Sequence, residues 1–273
     1  MSQVGFIGPG QLGLPMVQRL VDAGHEVTAW ARRPEVHEAC VARGASAVAS
    51  GTEAVRGRAV VVVCLFSDAQ VQEVLLDGGV LDGVDEGAVV AIHTTGSPSV
   101  ARALAERGRP RGVAIVDAPV SGTAEDVLAG RLTVMLGGEP ADVERVEAVV
   151  RAYADPVLRT GGLGSAQLVK LVNNALFTAH LQLAGQAERI LAAAGADVAV
   201  AATAVQRSSG ASYAMGIVEQ RGSIAPTAEA ASGFLHKDVA AVRAVAAELG
   251  LDLGVLDRTI AGGPFALRPR ERG

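Results

Sequence analysis

The sequence predicts an α/β fold, a doubly wound parallel sheet followed by an all-α domain, and three observations carry that prediction. The front half alternates short β-branched runs with helical patterns, a glycine-rich segment follows the first of those runs, and the strand pattern stops at Ser165. Composition sets the limits within which this fold must work. With 49% hydrophobic and 19% charged residues over 273 positions, the chain is a globular protein with enough material for two domains and a sizeable core. A net charge of -5, with arginines scattered among acids, argues against a nucleic-acid surface. Cys40 and Cys64 are too few and too far apart for a disulfide framework or a CxxC site, and no metal-ligand spacing appears. The apolar run over 59–66 is far shorter than the roughly 18 to 20 residues needed to span a bilayer, so no membrane partner is expected. A strand already beginning at Val4 leaves no room for a signal peptide, and the expectation is a cytoplasmic protein.

Taken in order, residues 4–7, 26–30, 59–65, 88–92 and 113–117 read as strands, several of them apolar on both faces. Such strands belong in a parallel sheet covered by helices. Residues 132–136 and 157–158 add two more. Residues 165–194 contain no proline and one glycine, Gly185, and their apolar side chains surround the axis, which predicts a long helix buried between layers. Further helices are expected over 198–207, 234–249 and 252–261, with no strand among them. The tail from Gly263, rich in proline and arginine, is expected to fray. The change of pattern at 161–164 divides the chain into domains 1–161 and 162–273.

The glycine segment reads Gly8-Pro9-Gly10-Gln11-Leu12-Gly13, after the first strand and opening a helix over 12–23, with the next strand from Glu26. That is the context of a Rossmann dinucleotide site. Gly8 makes the tight turn, Gly10 lets a pyrophosphate approach the backbone, and Gly13 lets helix and strand pack closely. Pro9 removes a donor and stiffens the loop, and the phosphates rest on the helix N-terminus beside Gln11 and Leu12. A glycine-rich turn without a ligand is the plainer alternative. The second strand runs into Arg32 and Arg33, where an NAD-preferring site places an acid for the ribose hydroxyl. A guanidinium forks onto a 2′-phosphate, so NADP (NADPH) is preferred over NAD, unless the two arginines merely solvate a loop.

Of 24 basic residues, only Lys170 and Lys237 are lysines, and both lie in apolar surroundings. Arginine stays protonated, whereas a buried lysine can give up its proton. Helical spacing places Lys170, Asn173 and Asn174 near one face. Burial disfavours the charged amine at Lys170, as acid–base work requires. The alternative is a structural lysine, snorkelling or paired with a carboxylate.

Four segments occur in the order Gly5-Phe6-Ile7-Gly8, Asp117-Ala118-Pro119-Val120-Ser121-Gly122, residues 161–174, and Phe234-Leu235-His236-Lys237-Asp238. Together they resemble the successive signatures of the 3-hydroxyisobutyrate dehydrogenase, or β-hydroxyacid dehydrogenase, family. The resemblance implies a Rossmann domain followed by a helical domain of the 6-phosphogluconate dehydrogenase C-terminal type. Substrate and nicotinamide would meet in the cleft between them, and the helical domain would form a homodimer or homotetramer. It implies hydride exchange between NAD(P) and a small 3-hydroxy acid or the corresponding semialdehyde or keto acid. Lys170 matches the family's catalytic acid–base, Asn174 the partner that orients it and the substrate, and Ser121 with Gly122 the carboxylate-binding turn. Lys237 matches a lysine that reaches towards the cofactor, and Phe234 a wall of the nicotinamide pocket. Thr94 and Thr95 match a pair touching the cofactor ribose, and Leu65, Phe66 and Ser67 occupy another strand end facing it.

The chain departs from the family at Thr123, where a glycine is usual, and at Asp126-Val127, which replace a pair of small residues. Thr123 then adds a side chain at the pocket mouth, and an inward-facing Asp126 would repel a carboxylate, so the substrate is left open. His93 is expected to be a neutral strand-end histidine. Two other functions are compatible with the scaffold. Imine reductases resemble it but usually place another residue at the position of Lys170. A non-catalytic NADP-binding interaction module would usually lack the lysine or the glycine loop.

Overall fold

The computed structural model describes residues 1–267. The chain divides into two compact units, Met1–Lys170 and Leu171–Gly273. The first unit runs β1 (Gln3–Ile7), α1 (Gly13–Asp22), β2 (Glu26–Trp30), α2 (Pro34–Val41), β3 (Ser46–Ala47), α3 (Gly51–Val55), β4 (Val60–Val63), α4 (Asp68–Gln72) and β5 (Val89–Ile92). It continues with α5 (Pro98–Gly108), β6 (Ala114–Asp117), β7 (Val120–Ser121), α6 (Ala124–Leu128), β8 (Leu132–Gly137), α7 (Pro140–Val150) and β9 (Ala154–Gly161). One sheet holds these strands in the order β3-β2-β1-β4-β5-β6-β8-β7, with β9 also on β8. Pairings from β3 through β6 are all parallel, and the chain winds outwards in both directions from β1 and β4. A reversal of that kind opens a crevice at the carboxyl ends of the strands, where ligands bind in such sheets.

The apolar runs explain why both faces are covered. Phe6, Val62 and Ala91 point to one face and pack with Met16, Val17 and Leu20 of α1 and Val146 and Val150 of α7. Their strand neighbours Ile7, Val63 and Ile92 point to the other, against Val71, Leu75 and Leu104. The expected strand over 59–65 is observed as Val60–Val63; Cys64 N–H still donates to Ile7 C=O at 2.9 Å, and beyond it Leu65 N–H turns to the Thr94 hydroxyl at 2.9 Å. The expected 157–158 strand is the middle of the longer β9, most of which is solvent-facing and so shows little hydrophobic pattern. The two-residue strands β3 and β7 are too short to leave a periodic signal.

The helix α8 (Ser165–Ala193) spans the division, and α9 (Val198–Gln206), α10 (Tyr213–Arg221), α11 (Ala225–Glu248) and α12 (Val255–Gly262) follow, with no strand among the described residues. The expectation of all-round burial for α8 needs correction. Leu171, Ala175 and Leu181 are buried, but Val169, Leu176, Leu183 and Ile190, at every seventh position, are 44%, 45%, 57% and 61% exposed. α11 starts well before the expected 234, with Pro226 in its first turn, where its missing N–H costs nothing. The tail does not fray at once: Gln182 accepts from Phe265 N–H at 2.9 Å and donates to Phe265 C=O at 2.8 Å. The rest of that expectation, residues 268–273, lies outside the described residues. Among the described residues, no helix is long and apolar enough to cross a membrane.

Candidate active site

Each glycine of the first loop has a distinct physical requirement. Gly8 sits at φ +79, and a Cβ there would lie 2.6 Å from Leu65 Cδ2 and 2.7 Å from Cys64 O. At Gly13 a Cβ would come within 2.9 Å of the Phe6 ring, so α1 packs directly on β1. Gly10 is different, with nothing nearer than Gly8 O at 4.0 Å. That open face, a buried Pro9, an exposed Gln11 and a helix start at Leu12 without side-chain capping together suit the close approach of a pyrophosphate.

The remaining carboxyl ends lie along the same sheet edge. Arg32 pairs with Glu73 at 3.3 Å and Arg33 with Glu35 at 3.5 Å, both in exposed pairs. Phe66 N–H donates to Gln70 Oε1 at 3.0 Å, and Ser67 caps α4 by accepting from Gln70 N–H. Thr94 is buried and Thr95 half-buried. His93 donates from Nδ1 to Ala118 C=O at 2.6 Å, so Nε2 accepts from Tyr153 OH at 2.7 Å. Burial holds this imidazole down at about 4, which keeps it neutral in a structural role.

Asp117, at the end of β6, is fully buried. Its Oδ1 accepts from Gly164 N–H at 2.7 Å and its Oδ2 from Gln167 N–H at 2.8 Å, so it holds the first turn of α8. Burial pushes its carboxyl up, against the opposing pull of these backbone donors. Lys170 follows in the next turn and is only 7% exposed. Sequence reasoning included Asp117 in a motif but gave it no role; a charged residue closing an apolar strand was the available signal.

Ser121 lies half-buried in β7 opposite Thr133, with Gly122 exposed in the turn that follows. Thr123 and Asp126 turn towards each other rather than standing alone. Asp126 Oδ2 accepts from Thr123 N–H at 2.8 Å and from its hydroxyl at 2.9 Å, while Thr123 Oγ1 caps Asp126 N–H. Arg131 also pairs with Asp126 at 2.8 Å. The Thr123 backbone N–H and hydroxyl hold the Asp126 carboxyl below its usual range, with Arg131 adding to the effect.

In the second unit, Asn174 Nδ2 donates to Asp238 Oδ2 at 2.6 Å, and Asn174 Oδ1 accepts from Asn173 at 3.0 Å. Lys237 pairs with Asp238 Oδ1 at 3.0 Å. The buried carboxylate of Asp238 thus fixes the Asn174 amide, a role the sequence did not reveal. Phe234 lies one turn earlier on α11 with its side chain 45% exposed. Among the described residues, no group of three or more His, Cys, Asp or Glu side chains is placed to hold a metal ion.

A doubly wound sheet with this loop at its switch point is the architecture of a dinucleotide-binding protein. The family model described as the NAD binding domain of 6-phosphogluconate dehydrogenase matches residues 3–162. A second, described as NAD-binding of NADP-dependent 3-hydroxyisobutyrate dehydrogenase, matches residues 164–260. The chain therefore belongs to the 3-hydroxyisobutyrate dehydrogenase, or β-hydroxyacid dehydrogenase, family of NAD(P)-dependent enzymes. It is 33% identical over 216 residues to an NAD-dependent L-serine dehydrogenase of Pseudomonas aeruginosa, covering 79% of this chain and 72% of that protein. To a 3-hydroxyisobutyrate dehydrogenase of the same organism it is 29% identical over 273 residues, covering 95% and 91%. The crystal structure of a 3-hydroxyisobutyrate dehydrogenase from Salmonella typhimurium superposes with a TM-score of 0.80 at 26% identity, covering 96% of this chain and 92% of that one.

Proposed function

We propose that this enzyme interconverts a small 3-hydroxy acid and its semialdehyde or keto acid with NADP(H), using Lys170 as general acid–base. The observation that carries this reading is the setting of Lys170: almost fully buried, one residue type in a chain that otherwise uses arginine, and one helical turn from Asn174. The open face at Gly10 and the uncapped start of α1 suit the dinucleotide, held by Gly8, Pro9, Gly10, Gln11, Leu12 and Gly13. Leu65, Phe66, Ser67 and Thr95, from the neighbouring strand ends, and Lys237 complete its proposed contacts. When bound, the nicotinamide supplies the acceptor or donor for hydride. In oxidation Lys170 takes the proton of the substrate hydroxyl; in reduction its ammonium returns a proton to the forming alkoxide. Asn174 orients the reacting oxygen, and Ser121 with the amide at Gly122 receives the carboxylate, while Thr123, whose own N–H is taken by Asp126, stands at the pocket mouth. Phe234 offers an apolar wall. The names of the relatives support the substrate class, since 3-hydroxyisobutyrate and L-serine both carry a hydroxyl on carbon 3, β to the carboxylate.

Arg32 and Arg33 support NADP over NAD, because their exposed ion pairs cost little to exchange for a phosphate. The functional division at 161 and 162, a cytoplasmic setting and a homodimer or homotetramer belong to the same proposal. The apolar stripe on α8 supports self-association. Retention of lysine at position 170 favours alcohol–carbonyl chemistry over imine reduction. Turnover of a panel of 3-hydroxy acids, including 3-hydroxyisobutyrate and L-serine, with NADP+ and NAD+ tests the proposal. Reduction of NADP+ by at least one member is the expected result. A silent panel alongside reduction of cyclic imines would overturn it.

A further inference from the structure

Gln167 is buried, 2% exposed, and its side-chain amide is engaged through both its oxygen and its nitrogen. Its side-chain Oε1 accepts from Gly96 N–H at 2.9 Å and its Nε2 donates to Thr94 C=O at 2.7 Å, as an adjacent strand would. Its own backbone N–H is held by Asp117. From the opposite side Asp68 accepts from Ser97 N–H at 2.8 Å, and its carboxylate fills the space a side chain at Gly96 would need. The loop over 94–97 is therefore clamped on both sides, and it carries Thr95. Three residues after Gln167, the same helix presents Lys170.

We infer that Gln167 is a positioning residue for catalysis, locking the helical turn that bears Lys170 in register with the Thr94–Gly96 loop. This inference rests on the assignment of Lys170 as acid–base. The argument is one of geometry. Asp117 holds the first turn of α8 through the Gly164 and Gln167 N–H groups and Thr160 meets Ser165 at 2.8 Å, and the paired amide bonds of Gln167 to Thr94 and Gly96 add the direct tie between that turn and the loop. A bidentate contact fixes both direction and distance, and displacement of a reacting group by about 1 Å costs up to roughly 100-fold in rate. The Gln167 amide touches neither substrate nor the reacting atoms in this scheme, so it acts through Lys170.

Two variants separate positioning from plain structural support. Gln167→Met keeps the length of the side chain and removes both hydrogen bonds. It is expected to lower kcat by roughly 10- to 100-fold, while the KM of the acid substrate and the NADPH affinity read by fluorescence change little. Gln167→Glu adds a pH readout. When protonated, the introduced carboxyl offers an O–H to Thr94 C=O and a carbonyl to Gly96 N–H, as the amide does; when ionised it has no donor. Asp117, at the end of β6 and bonded to this residue's own backbone N–H, and Asp68, across the loop, are carboxylates near it, and both favour its protonated form. The activity of Gln167→Glu relative to wild type should therefore recover as pH falls. Wild-type kcat in both variants, beside an inactive Lys170→Ala, would overturn the inference alone. Loss of melting temperature and activity in parallel, with no recovery of Gln167→Glu at lower pH, would also overturn it. Normal turnover in Lys170→Ala would remove the acid–base assignment and this inference with it.

Discussion

At the scale of single residues, charge and burial divide the work. Arg32 is exposed and pairs with an exposed Glu73, a pair of small net stability that is available for exchange with a phosphate. Arg32→Ala is expected to weaken NADPH binding by roughly tenfold or more, the scale of a charge-assisted bond, and to leave NADH binding nearly unchanged. Titration of both cofactors by fluorescence checks this, and equal losses would remove the case for NADP. His93 shows the opposite use of burial. Its folded imidazole is held down at about 4, against about 6.5 when unfolded. Between those values the unfolded chain binds a proton the folded chain does not, so stability falls as pH drops through that window and is unaffected above it. Urea unfolding at a series of pH values should show a steeper loss in wild type than in His93→Gln, by a slope approaching one proton. Identical slopes would mean that His93 is not buried neutral.

At the scale of elements, patterns that repeat were legible and contacts that reach across the chain were not. The glycine loop, the buried strands β1, β2, β4 and β5 and the long α8 all follow from local periodicity and turn chemistry. Only the middle of β9, residues 157–158, was legible, because an edge strand with solvent-facing side chains has little hydrophobic contrast. Asp117 and Gln167 escaped for a different reason: their partners stand 47 to 73 residues away, and no local spacing encodes them. Thr123 and Asp126 were legible as departures from a family pattern, with Thr123 read as a residue of the pocket mouth and Asp126 as one that matters there only if it faces inwards. The structure gives them a local explanation, the reciprocal cap at the start of α6. Thr123→Ala should therefore cost about 1 kcal/mol of stability, as a lost N-cap does, with kcat unaltered. Denaturant titration and steady-state kinetics read the two effects separately; a large kcat effect with unchanged stability would return Thr123 to the pocket.

At the scale of the whole molecule, an exposed seam and a buried amine each demand a function. Val169, Leu176, Leu183 and Ile190 place apolar side chains along one line of α8 that a monomer would leave in water. Leu183→Glu should shift the protein towards monomer in sedimentation equilibrium, since an unpaired charge in an apolar interface is costly. No shift would place the interface elsewhere. The buried amine is Lys170, and the account of this enzyme depends on it most. The decisive measurement is single-turnover hydride transfer in Lys170→Ala, with NADPH affinity measured on the same preparation. Turnover lower by roughly two to four decades, with NADPH affinity nearly intact, is the predicted result. Wild-type rates with intact cofactor binding would contradict it.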